Sequence, residues 1–155
     1  MKKVSVIGAG NMGGAVAGGL ARFRDKYDVT ETTAHAHTLE KYALEGMHTE
    51  PDNRVAAVRA DIVILGVKPW QVFPVLEEIK DILSGKLLVS LAAGIPKDEM
   101  SAWLASSGVR GGLHGHPEPR GGDRRKHDVR IACLRGCGRG CTESFQCRWE
   151  DPHRG

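Results

Sequence analysis

The sequence predicts an α/β fold: an open, mostly parallel sheet with helices on both faces. Three observations carry that expectation. Short apolar or β-branched runs alternate with stretches of helical spacing through roughly the first 104 residues. The run at 60–67 is almost wholly apolar, as in a central strand covered on both sides. The run Lys2–Ile7 breaks off into Gly8-Ala9-Gly10-Asn11-Met12-Gly13-Gly14, after which small and apolar residues follow. Strands alternating with helices imply right-handed crossovers, and these build a parallel sheet.

Lys2–Ile7 reads as the first strand because Val4, Val6 and Ile7 suit a pleated, buried surface. Residues 15–23 have the character of a helix, and 27–33 form a plausible second strand. A helix is expected over 38–45, closed by Gly46, and a shorter one at Asn53–Arg59. The apolar run at 60–67 is the central strand. Over 72–83, Val72, Val75, Leu76, Ile79 and Leu83 recur at the spacing of an amphipathic helix. Residues 86–91 read as one more buried strand and 97–104 as a last helix. No internal repeat or low-complexity linker interrupts this part.

A chain of 155 residues allows one domain and little more. Its composition divides near residue 110. Residues 1–110 hold 13 Lys and Arg against 13 Asp and Glu, whereas 111–155 hold 9 against 6, so the whole net charge of +3 lies in the tail. The tail also carries 9 of the 20 glycines, all four cysteines and only seven other apolar residues. Such a composition predicts poor independent order. No run approaches the roughly 18 apolar residues of a membrane span, and the start does not read as a secretion signal. With no Cys before residue 133, the expected setting is the cytoplasm.

Gly8-x-Gly10-x-x-Gly13 has the spacing of a dinucleotide-binding turn, which makes the expected fold Rossmann-type. Gly8 permits the tight turn, Gly10 lets the backbone approach a pyrophosphate, and Gly13 lets the helix pack on the strand. The helix start then offers unpaired N–H groups to phosphate. The adenosine end should lie about 20 residues on, at the end of the second strand. Glu31 there would favour a ribose 2′-hydroxyl and NAD; Thr32, Thr33 and His35 would suit a 2′-phosphate and NADP. Both choices stay open, and His35 and His37 also read as solvated loop histidines. Ligands of open parallel sheets lie beyond the carboxyl ends of strands. Beyond Val67 come Lys68-Pro69-Trp70, and beyond Leu91 come Ala92-Ala93-Gly94-Ile95, small residues over which a flat ring fits. Taken singly, Trp70 reads as a core or edge aromatic.

Together these three segments strongly resemble the amino-terminal domain of the pyrroline-5-carboxylate reductase family, over about residues 2–110. The resemblance implies NADP or NAD as cofactor, a small-molecule substrate and the last step of proline biosynthesis, in which hydride reaches the C=N carbon of 1-pyrroline-5-carboxylate. By it Ile7, Gly8, Ala9, Gly10, Asn11 and Met12 would hold the pyrophosphate. Thr33 and Asn53 would sit near the adenosine ribose or its phosphate, Gly66, Val67, Lys68 and Pro69 would line the cofactor, and Leu91, Ala92 and Ala93 would flank the nicotinamide. No catalytic side chain is assigned and no metal, nucleic-acid or membrane partner is expected. Two other readings stand beside this one: another NADP-dependent reductase of the 6-phosphogluconate-dehydrogenase-like group, and a non-catalytic nucleotide-binding module whose basic tail binds a partner.

The family continues with a strand ending in a Pro-Asn-Thr type sequence, a Val-Gly-Lys type turn and a helical domain that holds substrate contacts and the oligomer interface. Residues 111–155 match none of this, so that helical domain is absent from the expected fold. Read one nucleotide later, codons for Pro117, Glu118 and Pro119 can yield Pro-Asn, and those for residues 142–155 can yield a segment containing Ala-Val-Gly-Lys. An altered reading frame is the expectation drawn from this. Cys133, Cys137, Cys141 and Cys147 with His114, His116 and His127 lack the close pairs common in structural zinc sites. Arg124-Arg125-Lys126 has no interleaved aromatics and reads as a solvated run.

Overall fold

The computed structural model describes residues 1–105, 107–109, 111–119, 126–134 and 146–150. Five strands form the expected parallel sheet, in the order β3-β2-β1-β4-β5. They are β1 (Lys2–Ile7), β2 (Tyr27–Thr32), β3 (His48–Glu50), β4 (Ile62–Leu65) and β5 (Leu87–Ser90). Val4 pairs with Val29 on one side and with Ile62 on the other, so β1 lies at the centre. The helices are α1 (Asn11–Ala21), α2 (Ala36–Leu44), α3 (Asn53–Arg59), α4 (Pro69–Ile79) and α5 (Lys97–Ala105).

Both faces are covered, as the fold class requires. On one, Val4, Val6 and Val29 pack with Ala17 of α1 and Tyr42 of α2. On the other, Ile7, Val63, Leu65 and Leu88 pack with Ala57 of α3, with Val72, Leu76 and Ile79 of α4, and with Met100 of α5. Each fully buried Leu or Ile contributes about 1.5–3 kcal/mol of transfer free energy. These two apolar layers therefore hold the carboxyl edge in register.

The helix boundaries differ from expectation for local reasons. α1 begins at Asn11, four residues earlier than 15–23, because Gly13 and Gly14 stay helical where tight packing rewards the lack of a side chain. α4 begins at Pro69, whose missing N–H costs nothing in a first turn. It ends at Ile79, while Leu83 is buried from the following loop. The three-residue edge strand β3 was not expected, being too short to show alternation.

Beyond β5 the backbone adds β6 (Gly111–Pro119), parallel to β5, then β7 (Lys126–Leu134) and β8 (Gln146–Glu150), each antiparallel to its predecessor. Pro117, Glu118 and Pro119 fall on β6. Cys137, Cys141 and Arg124-Arg125 lie outside the described residues, as do the other expectations placed at 120–125, 135–145 and 151–155. Among the described residues no helix is long and apolar enough to cross a membrane.

Candidate functional site

The site is the carboxyl edge of the sheet, and its centre is a contact between glycines. Gly8 has φ +98°, which favours glycine. A Cβ on Gly13 would stand 2.0 Å from the Gly8 carbonyl oxygen, and one on Gly66 would stand 2.7 Å from Gly13 Cα. One on Gly8 would stand 2.7 Å from Val67 Cγ1. The turn after β1, the start of α1 and the end of β4 thus meet backbone to backbone. Gly10 differs. Its φ of −81° is open to any residue, and a Cβ there would meet only the Gly66 carbonyl oxygen, at 3.9 Å. The fold does not need glycine at position 10, yet without a side chain the surface above the helix start stays clear.

That clear surface carries unpaired donors. The N–H groups of Gly8 and Ala9 both donate to the Thr32 carbonyl, at 3.0 and 2.9 Å, and Gly14 donates to Gly10 at 2.8 Å. Asn11, Met12 and Gly13, the first three N–H groups of α1, find no acceptor among the described residues, and no side chain caps the helix. An anion answers such a helix start. The residues present, Gly10, Asn11 and Met12 foremost, therefore fit a dinucleotide pyrophosphate, whereas the Ile7 side chain is buried in the core.

At the second strand the two candidate chemistries separate. Glu31 is fully buried, with both carboxyl oxygens unpartnered among the described residues, so it does not face the edge. Burial and then the nearby Glu45 raise its pKa to about 8. Thr32 Oγ1 donates to Asn53 Oδ1 at 2.7 Å, and Asn53 Nδ2 donates to Glu78 Oε2 at 3.2 Å. Thr33 is half-buried and its Oγ1 accepts from the His35 N–H at 3.3 Å. His35 and His37 are exposed, with ring centroids 6.1 Å apart.

Further along, the Gly66 N–H donates to the Ile7 carbonyl at 2.8 Å, tying β4's end to β1's. Gln71 Oε1 accepts from the Lys68 N–H at 3.3 Å and fixes the start of α4. Val67 is half-buried, whereas Lys68, Pro69 and Trp70 are exposed; Trp70, at 74%, is not a core aromatic. After β5, Leu91 and Ala92 are buried and Ala93 and Gly94 are exposed, so only the latter pair presents its own surface to a ring. Two hollows, about 250 and 190 Å³, lie away from these residues, the larger beside Arg24, Glu45 and Met47.

Over residues 3–94 the sequence matches the family described as NADP oxidoreductase, coenzyme F420-dependent. The chain belongs to this family. As an NADP oxidoreductase-family chain it is 37% identical over 110 residues to a pyrroline-5-carboxylate reductase of Vibrio alginolyticus, an alignment covering 68% of the chain and 40% of that relative. Its structure is similar to a pyrroline-5-carboxylate reductase from Coxiella burnetii, with a TM-score of 0.74 and 30% identity, over 88% of the chain and 51% of the neighbour. It is also similar to an imine reductase from Myxococcus stipitatus in complex with NADP+, with a TM-score of 0.66 and 30% identity, over 76% and 41%. The resemblance read from the three motifs therefore holds for the amino-terminal part. The chain spans about 40% of the length of the first of these relatives.

Two features of this NADP oxidoreductase-family edge escaped the sequence. Gly66 seals the contact with Gly13. Glu78, on a different helix, reaches Asn53; no local pattern signals that distant pairing, 25 residues apart in the chain.

Proposed function

We propose that this chain is the NAD(P)H-binding part of a reductase that adds hydride to the C=N carbon of 1-pyrroline-5-carboxylate, giving proline. The observation that carries the reading is the open helix start at Gly10, Asn11 and Met12, set beside Gly66, Val67, Lys68, Pro69 and the exposed Ala93 along one edge. The cofactor, when bound, supplies the hydride. The chain's own residues bind and orient it: the α1 donors take the pyrophosphate, and Thr33 and Asn53 take the adenosine ribose or its phosphate. Backbone at Leu91, Ala92 and Ala93 flanks the nicotinamide. With Glu31 turned into the core, no carboxylate from β2 meets the ribose 2′ position, and the reading takes NADP or NAD as cofactor. The partners of this reading are small molecules, and its setting is the cytoplasm.

Residues 111–155 are proposed to be the product of an altered reading frame, in place of the family's closing segments. On this reading the chain binds NAD(P)H weakly and turns over little. Titration of the purified 155-residue chain with NADPH and NADH tests the first half. Turnover of pyrroline-5-carboxylate at about 1 to 1000 per second, the range of ordinary enzymes, would refute the second. The likeness to the Myxococcus protein favours a second reading, a reductase of other imines. Assaying the frame-corrected protein with pyrroline-5-carboxylate, imines lacking a carboxylate, and 3-hydroxy acids separates the two.

A further inference from the structure

We propose that Glu78 is a positioning residue for the ribose end of the cofactor edge, acting through Asn53. The inference rests on the nucleotide-binding reading above and names a residue that neither the motifs nor the relatives single out. Thr32 is the fixed point of the arrangement: its carbonyl accepts the N–H groups of Gly8 and Ala9, which pins the glycine turn to the end of β2. Its hydroxyl donates to Asn53 Oδ1 at 2.7 Å, and Asn53 Nδ2 donates to Glu78 Oε2 at 3.2 Å.

An ionised carboxylate only accepts, so the Asn53 NH2 must face Glu78 and its oxygen must face Thr32. The amide then has one orientation, with one N–H and one oxygen lone pair left over. A ribose hydroxyl, which donates and accepts, matches that remainder; a phosphate matches only the N–H and would stand beside the Glu78 charge. Glu78 is itself held. Arg54, the neighbour of Asn53 on α3, donates to the Glu78 carbonyl and to both Asp81 carboxyl oxygens, at 2.8 and 2.7 Å. The acidic partner at the ribose therefore comes from α4, since Glu31 of β2 is buried.

The test is titration of the full chain with NADH, with thermal unfolding in parallel. Glu78→Ala and Asn53→Ala are each expected to weaken NADH by about fivefold, the equivalent of one hydrogen bond of about 1 kcal/mol. Glu78→Gln, which keeps an acceptor, is expected to restore wild-type affinity, and the double alanine variant to bind no more weakly than Asn53→Ala alone. Glu77→Gln alters the same helix end without touching the amide, since Glu77 pairs with Lys80 and Trp103, and is expected to leave NADH affinity unchanged. Additive losses in the double variant, wild-type affinity in Glu78→Ala, or an equal loss in Glu77→Gln would each overturn the proposal. Should Glu78→Ala not fold, Thr32→Val removes the other support of the amide and must weaken NADH to a like degree. A wild-type chain that binds neither nucleotide sinks the functional reading itself, an outcome distinct from binding that ignores Glu78.

Discussion

Replacing Glu31 by Gln is expected to abolish a steep loss of stability with rising pH. Glu31 is fully buried, neither carboxyl oxygen has a partner among the described residues, and it interacts electrostatically with Tyr42 and Glu45 of the α2 region. Burial first, and the charge of Glu45 second, raise its pKa from 4.5 to about 8. In the folded chain the carboxyl thus stays protonated at neutral pH, whereas in the unfolded chain it ionises above about 4.5. Because the folded value is the higher one, the unfolded state releases the proton first. Stability falls as pH rises through that interval and levels off above about 8. At about 1.4 kcal/mol per pH unit, the interval is worth roughly 5 kcal/mol as an upper figure. That rivals the whole stability of a marginal domain, about 5 kcal/mol. Gln keeps the shape without the proton. Urea unfolding of the full chain at pH 5, 6.5 and 8 should show the two proteins diverging by roughly 1.4 kcal/mol per pH unit, with the variant favoured at the alkaline end. Parallel curves for variant and wild type would refute the reasoning, since they would mean that the carboxyl reaches solvent.

The glycines should divide by role. Gly10→Ala is expected to keep the thermal midpoint of the wild type and to weaken nucleotide binding at least tenfold. Gly13→Ala, with its Cβ driven against the Gly8 carbonyl, is expected to lose folding and binding together, and calorimetry with titration distinguishes the two outcomes. Asp52 caps α3, its Oδ1 accepting from the N–H groups of Arg54 and Val55 at 2.7 and 3.2 Å. Asp52→Ala should cost about 1 kcal/mol in denaturant unfolding. Sequencing the encoding DNA around codons 108 to 115 should reveal a displaced frame, and correcting it should restore the family's closing segments. Independent reads that uniformly support the present frame would remove that expectation.

Much of the fold was legible because it rests on local signals. Asn53–Arg59 forms its helix with the expected bounds, since Asp52 supplies a cap immediately before a short run of helix formers. The glycine turn was legible from its spacing, and backbone geometry imposes glycine at two of its three positions, Gly8 by its φ of +98° and Gly13 by its contact with the Gly8 carbonyl oxygen. What stayed hidden depends on contacts across the chain. Glu31 read as an edge residue because it lies near the right distance from the turn, but strand alternation puts it on the same face as Val29, inside the layer under α1 and α2. Trp70 read as a core or edge aromatic, and its place after Pro69 at the exposed start of α4 excludes the core. The link from Asn53 to Glu78 spans two helices and leaves no periodic trace.

The edge works because its parts are divided between rigidity and access. Gly8, Gly13 and Gly66 are used up in backbone contact, and the N–H groups of Gly8 and Ala9 are used up on Thr32. What they achieve is a fixed platform, on which the donors of Asn11, Met12 and Gly13 are left without internal partners. A helix start with unanswered donors is costly where it is buried; here Asn11 and Met12 are exposed and Gly13 is buried. Stability is thus drawn from the glycines that pack and, on the proposed reading, binding from the one that does not, so mutations at the two kinds of glycine should fail for different reasons.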